Sequence, residues 1–139
     1  MRRRPLPLPL PLTLAAVALG VAAPAPAVAR TVTATDVRGP GGLTCWALAV
    51  GGPGIECTSP HLEEIGELDT FLRLRPTGSA VLGERGDYPG YGKAPGRLRT
   101  GDVWRRGSIR CTLKAKDVLR CTNRSGRGFV LDRRGGRRF

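Results

Sequence analysis

Hydrophobic positions along this chain fall into short runs separated by Gly, Pro and polar clusters, the spacing of strands and turns rather than of helices. Residues 31–37 alternate β-branched with small or polar residues, as an exposed or edge strand does. Residues 43–50 are apolar and include Trp46, and residues 55–58 return after the turn signal Gly51-Gly-Pro-Gly54. Residues 70–75 alternate Phe71, Leu72 and Leu74 with arginine, and Pro76-Thr-Gly78 then turns into residues 79–82. Leu98, Val103, Trp104 and Ile109 lead into a further hairpin, and residues 128–132 make a last strand. Only Ser59-Pro60 reads as a helix start, predicting a short helix over 60–67 that Gly66 ends. Residues 83–96, with Tyr88-Pro-Gly-Tyr-Gly92, carry turn chemistry without periodicity and read as a surface loop.

One pattern occurs twice. Gly42-Leu-Thr-Cys45 and Ile55-Glu-Cys57-Thr58 are echoed by Gly107-Ser-Ile-Arg-Cys111 and Leu119-Arg-Cys121-Thr122, so each copy reads as a β-hairpin with a cysteine on either arm. The predicted class is all-β, a small disulfide-stapled sandwich or barrel of short antiparallel strands.

The N-terminus changes the compartment. Arg2-Arg-Arg4, an apolar run over 12–23 and Ala27-Val-Ala29 are the three parts of a secretory signal peptide, with cleavage expected after Ala29. The run is shorter than the ~20 residues that span a bilayer, so no membrane span is expected after processing. Residues 1–29 are thus the signal peptide and 30–139 a single β domain, secreted or held in the cell envelope of a bacterium. All four cysteines lie in the mature part, which favours disulfides. Their spacing does not suit zinc, and His61 is the one histidine. Of three possible pairings, Cys45 with Cys57 and Cys111 with Cys121 is favoured, because each pair flanks a turn, and each staple stabilises by roughly 3 kcal/mol on the chain-entropy model.

Charge divides the chain unevenly. Residues 30–90 carry 5 basic and 8 acidic side chains, whereas residues 91–139 carry 15 basic and 3 acidic. Such asymmetry marks a surface for polyanions, with Arg105, Arg106, Arg110, Arg120, Arg124 and Arg127 as candidate contacts. The sequence favours a blander explanation, a solvated sheet face in the product of a GC-rich genome, since arginines number 20 against three lysines and alternate outward along these strands.

Catalytic constellations are hard to assemble. His61 would have to serve any nucleophile as its base, and the acidic cluster Glu63, Glu64, Glu67 and Asp69 reads as a solvated helix face. No phosphate-binding glycine loop or dinucleotide fingerprint is present, and no cofactor or metal is expected. Trp46, Phe71, Trp104 and Phe129 read as the bulky members of one core, and Tyr88 and Tyr91 as loop residues able to stack on a sugar or base. Asn123-Arg-Ser125 matches a glycosylation sequon, discounted in a bacterial chain.

The segments Trp104-x-x-Gly107-x-Ile109-x-Cys111, Leu119-x-Cys121-x-Asn123 and Gly126-Arg-Gly128-Phe129-x-Leu131 resemble a family of small secreted actinobacterial proteins of unknown function. Gly-Gly-Leu-Thr-Cys45 and Ile55-Glu-Cys57 fit the first cysteine pair of the same family, so the resemblance covers residues 38–139. Additional central cysteines of some relatives have no counterpart over 82–87. The resemblance implies an exported or envelope-associated protein and carries over no catalytic residue. The expected function is a non-enzymatic binding or structural module of the cell envelope, whose candidate partners are an anionic wall polymer or another envelope protein. Two alternatives are a binder of wall polymer or nucleic acid through the basic half, and a protease inhibitor presenting loop 83–96.

Overall fold

The computed structural model describes residues 28–48, 51–62, 69–85 and 95–139. Their strands are β1 (Thr31–Val32), β2 (Asp36–Arg38), β3 (Thr44–Ala47), β4 (Ile55–Thr58), β5 (Asp69–Leu74), β6 (Val81–Arg85), β7 (Gly96–Arg97), β8 (Val103–Arg106), β9 (Ile109–Ala115), β10 (Val118–Thr122), β11 (Gly128–Asp132) and β12 (Gly135–Arg138). They form two six-stranded sheets. One, the C-terminal sheet, has the order β1-β8-β9-β10-β11-β12, and the other, the N-terminal sheet, has β6-β5-β4-β3-β2-β7.

The two sheets share one topology. In each, a five-strand antiparallel meander begins with a strand that also pairs in parallel with a two-residue strand: β8 with β1, and β2 with β7. Those short strands are exchanged. β1 precedes the N-terminal meander in the chain but joins the C-terminal sheet, and β7 precedes the C-terminal meander but joins the N-terminal sheet. The repeat visible in the cysteine motifs therefore extends to the whole fold, and the exchange ties each half to the other. Arg30 strengthens that tie: its guanidinium forms a two-point contact with Asp102, at 2.5 and 3.2 Å, and donates to the Arg97 carbonyl at 2.7 Å.

Cross-strand register gives equivalent positions. Val37, Cys45, Cys57, Leu72 and Leu82 lie in line across one sheet, and Trp104, Cys111, Cys121, Phe129 and Arg138 across the other. The first four of each line are buried and face the shared core, where Ile55, Leu74, Leu113, Leu119 and Leu131 join them. Because side chains alternate along a strand, this inward set fixes the outward one. Both disulfides link directly opposed residues, Cys45 to Cys57 and Cys111 to Cys121, so the pairing expected from the turns is the pairing formed. The β8–β9 connection is a two-residue turn whose first position, Gly107, has φ 58°, a conformation that a Cβ disfavours.

Several expectations require correction. The strand expected over 31–37 is two strands in different sheets, because Trp104 donates its indole N–H to the Ala34 carbonyl (2.8 Å) at the crossing between them. The chain does not end its strands at Asp132: β12 follows, held by pairing with β11 despite the poor strand propensity of Gly-Gly-Arg-Arg. Residues 60–62 form a turn, with the Ser59 hydroxyl accepting from the His61 N–H at 3.3 Å. The remainder of the expected helix, with Glu63, Glu64 and Glu67, lies outside the described residues, as do Tyr88, Tyr91, most of the expected loop and nearly all of the signal segment.

Candidate functional site

The outer face of the C-terminal sheet brings the predicted basic residues together. Trp104, Cys111 and Cys121 point inward, so their neighbours Arg105, Arg110 and Arg120 point outward. Arg105 stands directly opposite Arg110, and Arg110 directly opposite Thr122. Arg120 lies one strand over from Thr112 in the adjacent outward row. Arg124 and Arg127 are exposed on the β10–β11 turn, at the same end of the sheet as Arg105 and Arg110. Arg106 differs. It pairs with the buried Ile109 and turns its guanidinium to the Thr33 carbonyl at 3.5 Å, away from the outer row.

The electrostatics of this face follow from where its carboxylates have gone. Residues 91–139 contain three acidic side chains, and each is engaged elsewhere. Asp102 holds Arg30, Asp117 holds Arg133 at 2.9 Å, and Asp132 holds Arg137 at 3.0 Å and Arg134 at 3.5 Å. The guanidinium of Arg30 and the Arg99 backbone N–H hold the Asp102 carboxyl below the usual carboxylate range against the opposing effect of burial. The Arg134 backbone N–H, aided by Arg137, does the same for Asp132. Arg105, Arg106, Arg110, Arg120, Arg124 and Arg127 have no salt bridge among the described residues. Like charges directly opposed across strands are destabilising, so the Arg105–Arg110 pair is a local disadvantage. The Arg120 guanidinium sits over the Phe139 ring, 4.0 Å from its centroid, within cation–π range.

The turn that carries Arg124 and Arg127 is organised by Asn123. Its carboxamide oxygen accepts from the Ser125 and Arg127 backbone N–H groups at 3.0 and 3.1 Å, and its nitrogen donates to the Arg75 and Gly78 carbonyls at 3.0 and 2.7 Å. The residue is buried and its polar atoms are engaged, which explains why a sequon-like asparagine sits there without presenting an acceptor to solvent.

A second outward cluster lies beyond the sequence expectations. On the N-terminal sheet, Glu56 is fully buried and accepts from the Trp46 indole N–H (2.7 Å), from Arg73 (2.5 and 2.7 Å) and from Arg85 (2.8 Å). Both guanidinium groups also sit over the Phe71 ring, 5.2 and 5.6 Å from its centroid. Trp46 and Phe71, expected in the central core, instead meet edge to face at 6.5 Å on this outer surface, and only Trp104 and Phe129 join the core between the sheets. The available signal was register: Trp46 opposes Glu56, which opposes Arg73.

Among the described residues no three His, Cys, Asp or Glu side chains converge to hold a metal ion, and His61 is exposed at its turn. Comparison with protein-family models, with curated proteins and with solved structures finds no match.

The four cysteines form two disulfides and none is free, as suits an oxidising, extracytoplasmic environment. Among the described residues no helix is long and apolar enough to cross a membrane.

Proposed function

We propose that this chain is an exported, non-enzymatic binding module of the cell envelope or extracellular space that grips an anionic polymer with the outer face of its C-terminal sheet. One observation carries the reading: Arg105 and Arg110 face each other across adjacent strands with no carboxylate beside them, while every acidic side chain of the same half is paired elsewhere. A sheet that merely needed solubility would gain by interleaving the two signs, since opposed arginines cost stability that a carboxylate in either position would return. An anionic partner supplies the missing countercharge. Signal-peptide cleavage after Ala29 suits this role, because it leaves Arg30, the residue that locks Asp102, as the first of the mature chain.

The test is retention of the exported protein on immobilised polyanions, among them isolated wall polymer, inorganic polyphosphate and DNA, as salt is raised. Binding that persists near physiological ionic strength, where the Debye length is ~8 Å, is the expected result. The R105E R110E R120E variant should lose it while keeping its thermal transition. Loss of all retention at that ionic strength, for every polymer, contradicts the proposal.

A further inference from the structure

We infer that the polymer this face takes is a linear chain of phosphates without aromatic bases, a polyol-phosphate or polyphosphate type of ligand rather than a nucleic acid. The inference deepens the polyanion reading and rests on it. Three features of the same surface support it.

The first is spacing. Arg105 and Arg110 are direct cross-strand neighbours, with side chains that start about 5 Å apart, and Arg120 stands diagonal to Arg110 at about 7–8 Å. Arg105 and Arg110 share one cross-strand row and Arg120 stands one outward row back on β10, spacings on the scale of successive groups in an extended chain. Arg124 and Arg127, on the turn beyond β10, continue the charge past the end of the sheet.

The second is what lies between the cations. Thr112, opposite Arg120, and Thr122, opposite Arg110, are partly exposed on the outer face. Their hydroxyls donate to phosphate oxygens or accept from the hydroxyls of a polyol, and guanidinium forks suit the phosphates themselves.

The third is the stacking surface, which is closed to bases. Proteins that bind single-stranded nucleic acid combine a cationic groove with open aromatic platforms, each worth roughly 1–3 kcal/mol per base. Here Trp104 and Phe129 are buried on the inner side of the sheet. Phe139 is the one aromatic ring beside the outer arginines among the described residues, and the Arg120 guanidinium already covers it at 4.0 Å. A base reaching this face would have to displace that contact, while a phosphate chain would use it, because Phe139 fixes the direction of Arg120.

The experiment is a titration of the exported protein at 0.15 M salt with three probes matched in charge: inorganic polyphosphate, an oligothymidylate and polyglutamate. Polyphosphate should bind at least tenfold more tightly than oligothymidylate or polyglutamate. Its log K should fall with log salt at a slope near −2, as three phosphate contacts give at about −0.7 each. R105E R110E should reduce that slope by more than half, and F139A should weaken polyphosphate without strengthening oligothymidylate. Tighter binding of oligothymidylate would overturn the inference in favour of base stacking, and tighter binding of polyglutamate would overturn it in favour of a carboxylate polymer; either leaves the polyanion reading intact. Failure of all three probes removes both.

Discussion

The two sheets are built on one frame and treat charge in opposite ways. At the position just before the second cysteine of each hairpin, the N-terminal sheet carries Glu56 and the C-terminal sheet carries Arg120. Both point outward. In the N-terminal sheet the acidic residue gathers Arg73, Arg85 and the Trp46 indole around itself and is sealed from water. In the C-terminal sheet the same position carries a cation that, like Arg105 and Arg110, has no salt bridge among the described residues, the Asp132 carboxylate of β11 being held by Arg134 and Arg137. An aromatic ring lies beside a glycine in both sheets, but not in the same way: a Cβ on Gly83 would come within 2.6 Å of the Phe71 ring, whereas one on Gly128 would meet the Cys121 carbonyl oxygen at 1.9 Å before the Phe139 ring at 3.1 Å. The frame therefore does not dictate the chemistry of its outer faces. One face carries a buried ion-pair cluster, and the other carries arginines that have no salt bridge among the described residues.

The largest effect is expected from breaking the satisfied face. Glu56→Ala leaves Arg73 and Arg85 without their shared partner and the Trp46 N–H without an acceptor. Removing one partner of a buried pair costs roughly 3–5 kcal/mol, and the low end applies here because the guanidinium groups, about one-third exposed, can return to water. The equivalent Arg120→Ala should cost under about 1 kcal/mol. Urea denaturation of the two variants measures both, and equal losses would mean that the sheets do not differ as described.

Next come the staples. Each disulfide closes a loop of similar length, with separations of 12 and 10 residues, so the double variants C45A C57A and C111A C121A should each lose about 3 kcal/mol. This sharpens the comparison by showing the frame to be equivalent where the faces are not. Melting temperatures of the two variants differing severalfold in their displacement from the parent would break the equivalence.

A smaller loss is expected from Asn123→Ala, which strands two backbone N–H groups and two carbonyls at the contact between the β10–β11 turn and residues 75–78. Roughly 1–3 kcal/mol follows from leaving such groups unpaired. Because the turn positions Arg124 and Arg127, polyanion affinity should fall as well, which calorimetry of unfolding and of binding on the same variant will show.

The pH effect is the mildest and belongs to the C-terminal half. Asp102 and Asp132 are held below the usual carboxylate range in the folded chain, so their ion pairs contribute stability that is fully present above the carboxylate's ordinary value and is lost as pH falls through the lowered one. The melting temperature should therefore be flat at neutral pH and decline below about pH 4. Asp102→Asn should flatten part of that decline.

Much of this frame is legible in the sequence because hairpins are local. The two turns between cysteines set both the strand register and the disulfide pairing, and the alternation Trp104-Arg105 and Arg110-Cys111 already assigns inward and outward faces. The strand exchange is not legible, since Thr31–Val32 and Gly96–Arg97 are too short to carry a period and their partners lie far along the chain. β12 escapes notice for a related reason: its Gly-Gly-Arg-Arg sequence is a strand only because β11 offers an edge. Glu56 reads as a solvated outward residue until Arg73 and Arg85 are brought beside it by β5 and β6, contacts that sequence spacing alone does not supply. The basic face was legible as composition. That its arginines lack salt bridges depends on Asp102, Asp117 and Asp132 being held by other arginines, which sequence spacing does not show.

The most direct test of the difference between the sheets is an amide and indole NMR footprint of the protein during titration with inorganic polyphosphate at 0.15 M salt. The account predicts shifts confined to the outer C-terminal sheet, at Arg105, Arg110, Thr112, Arg120 and Thr122, with the Trp46 indole N–H, bonded to Glu56, unmoved. Shifts centred on Trp46, Arg73 and Arg85, or spread equally over both sheets, would contradict it.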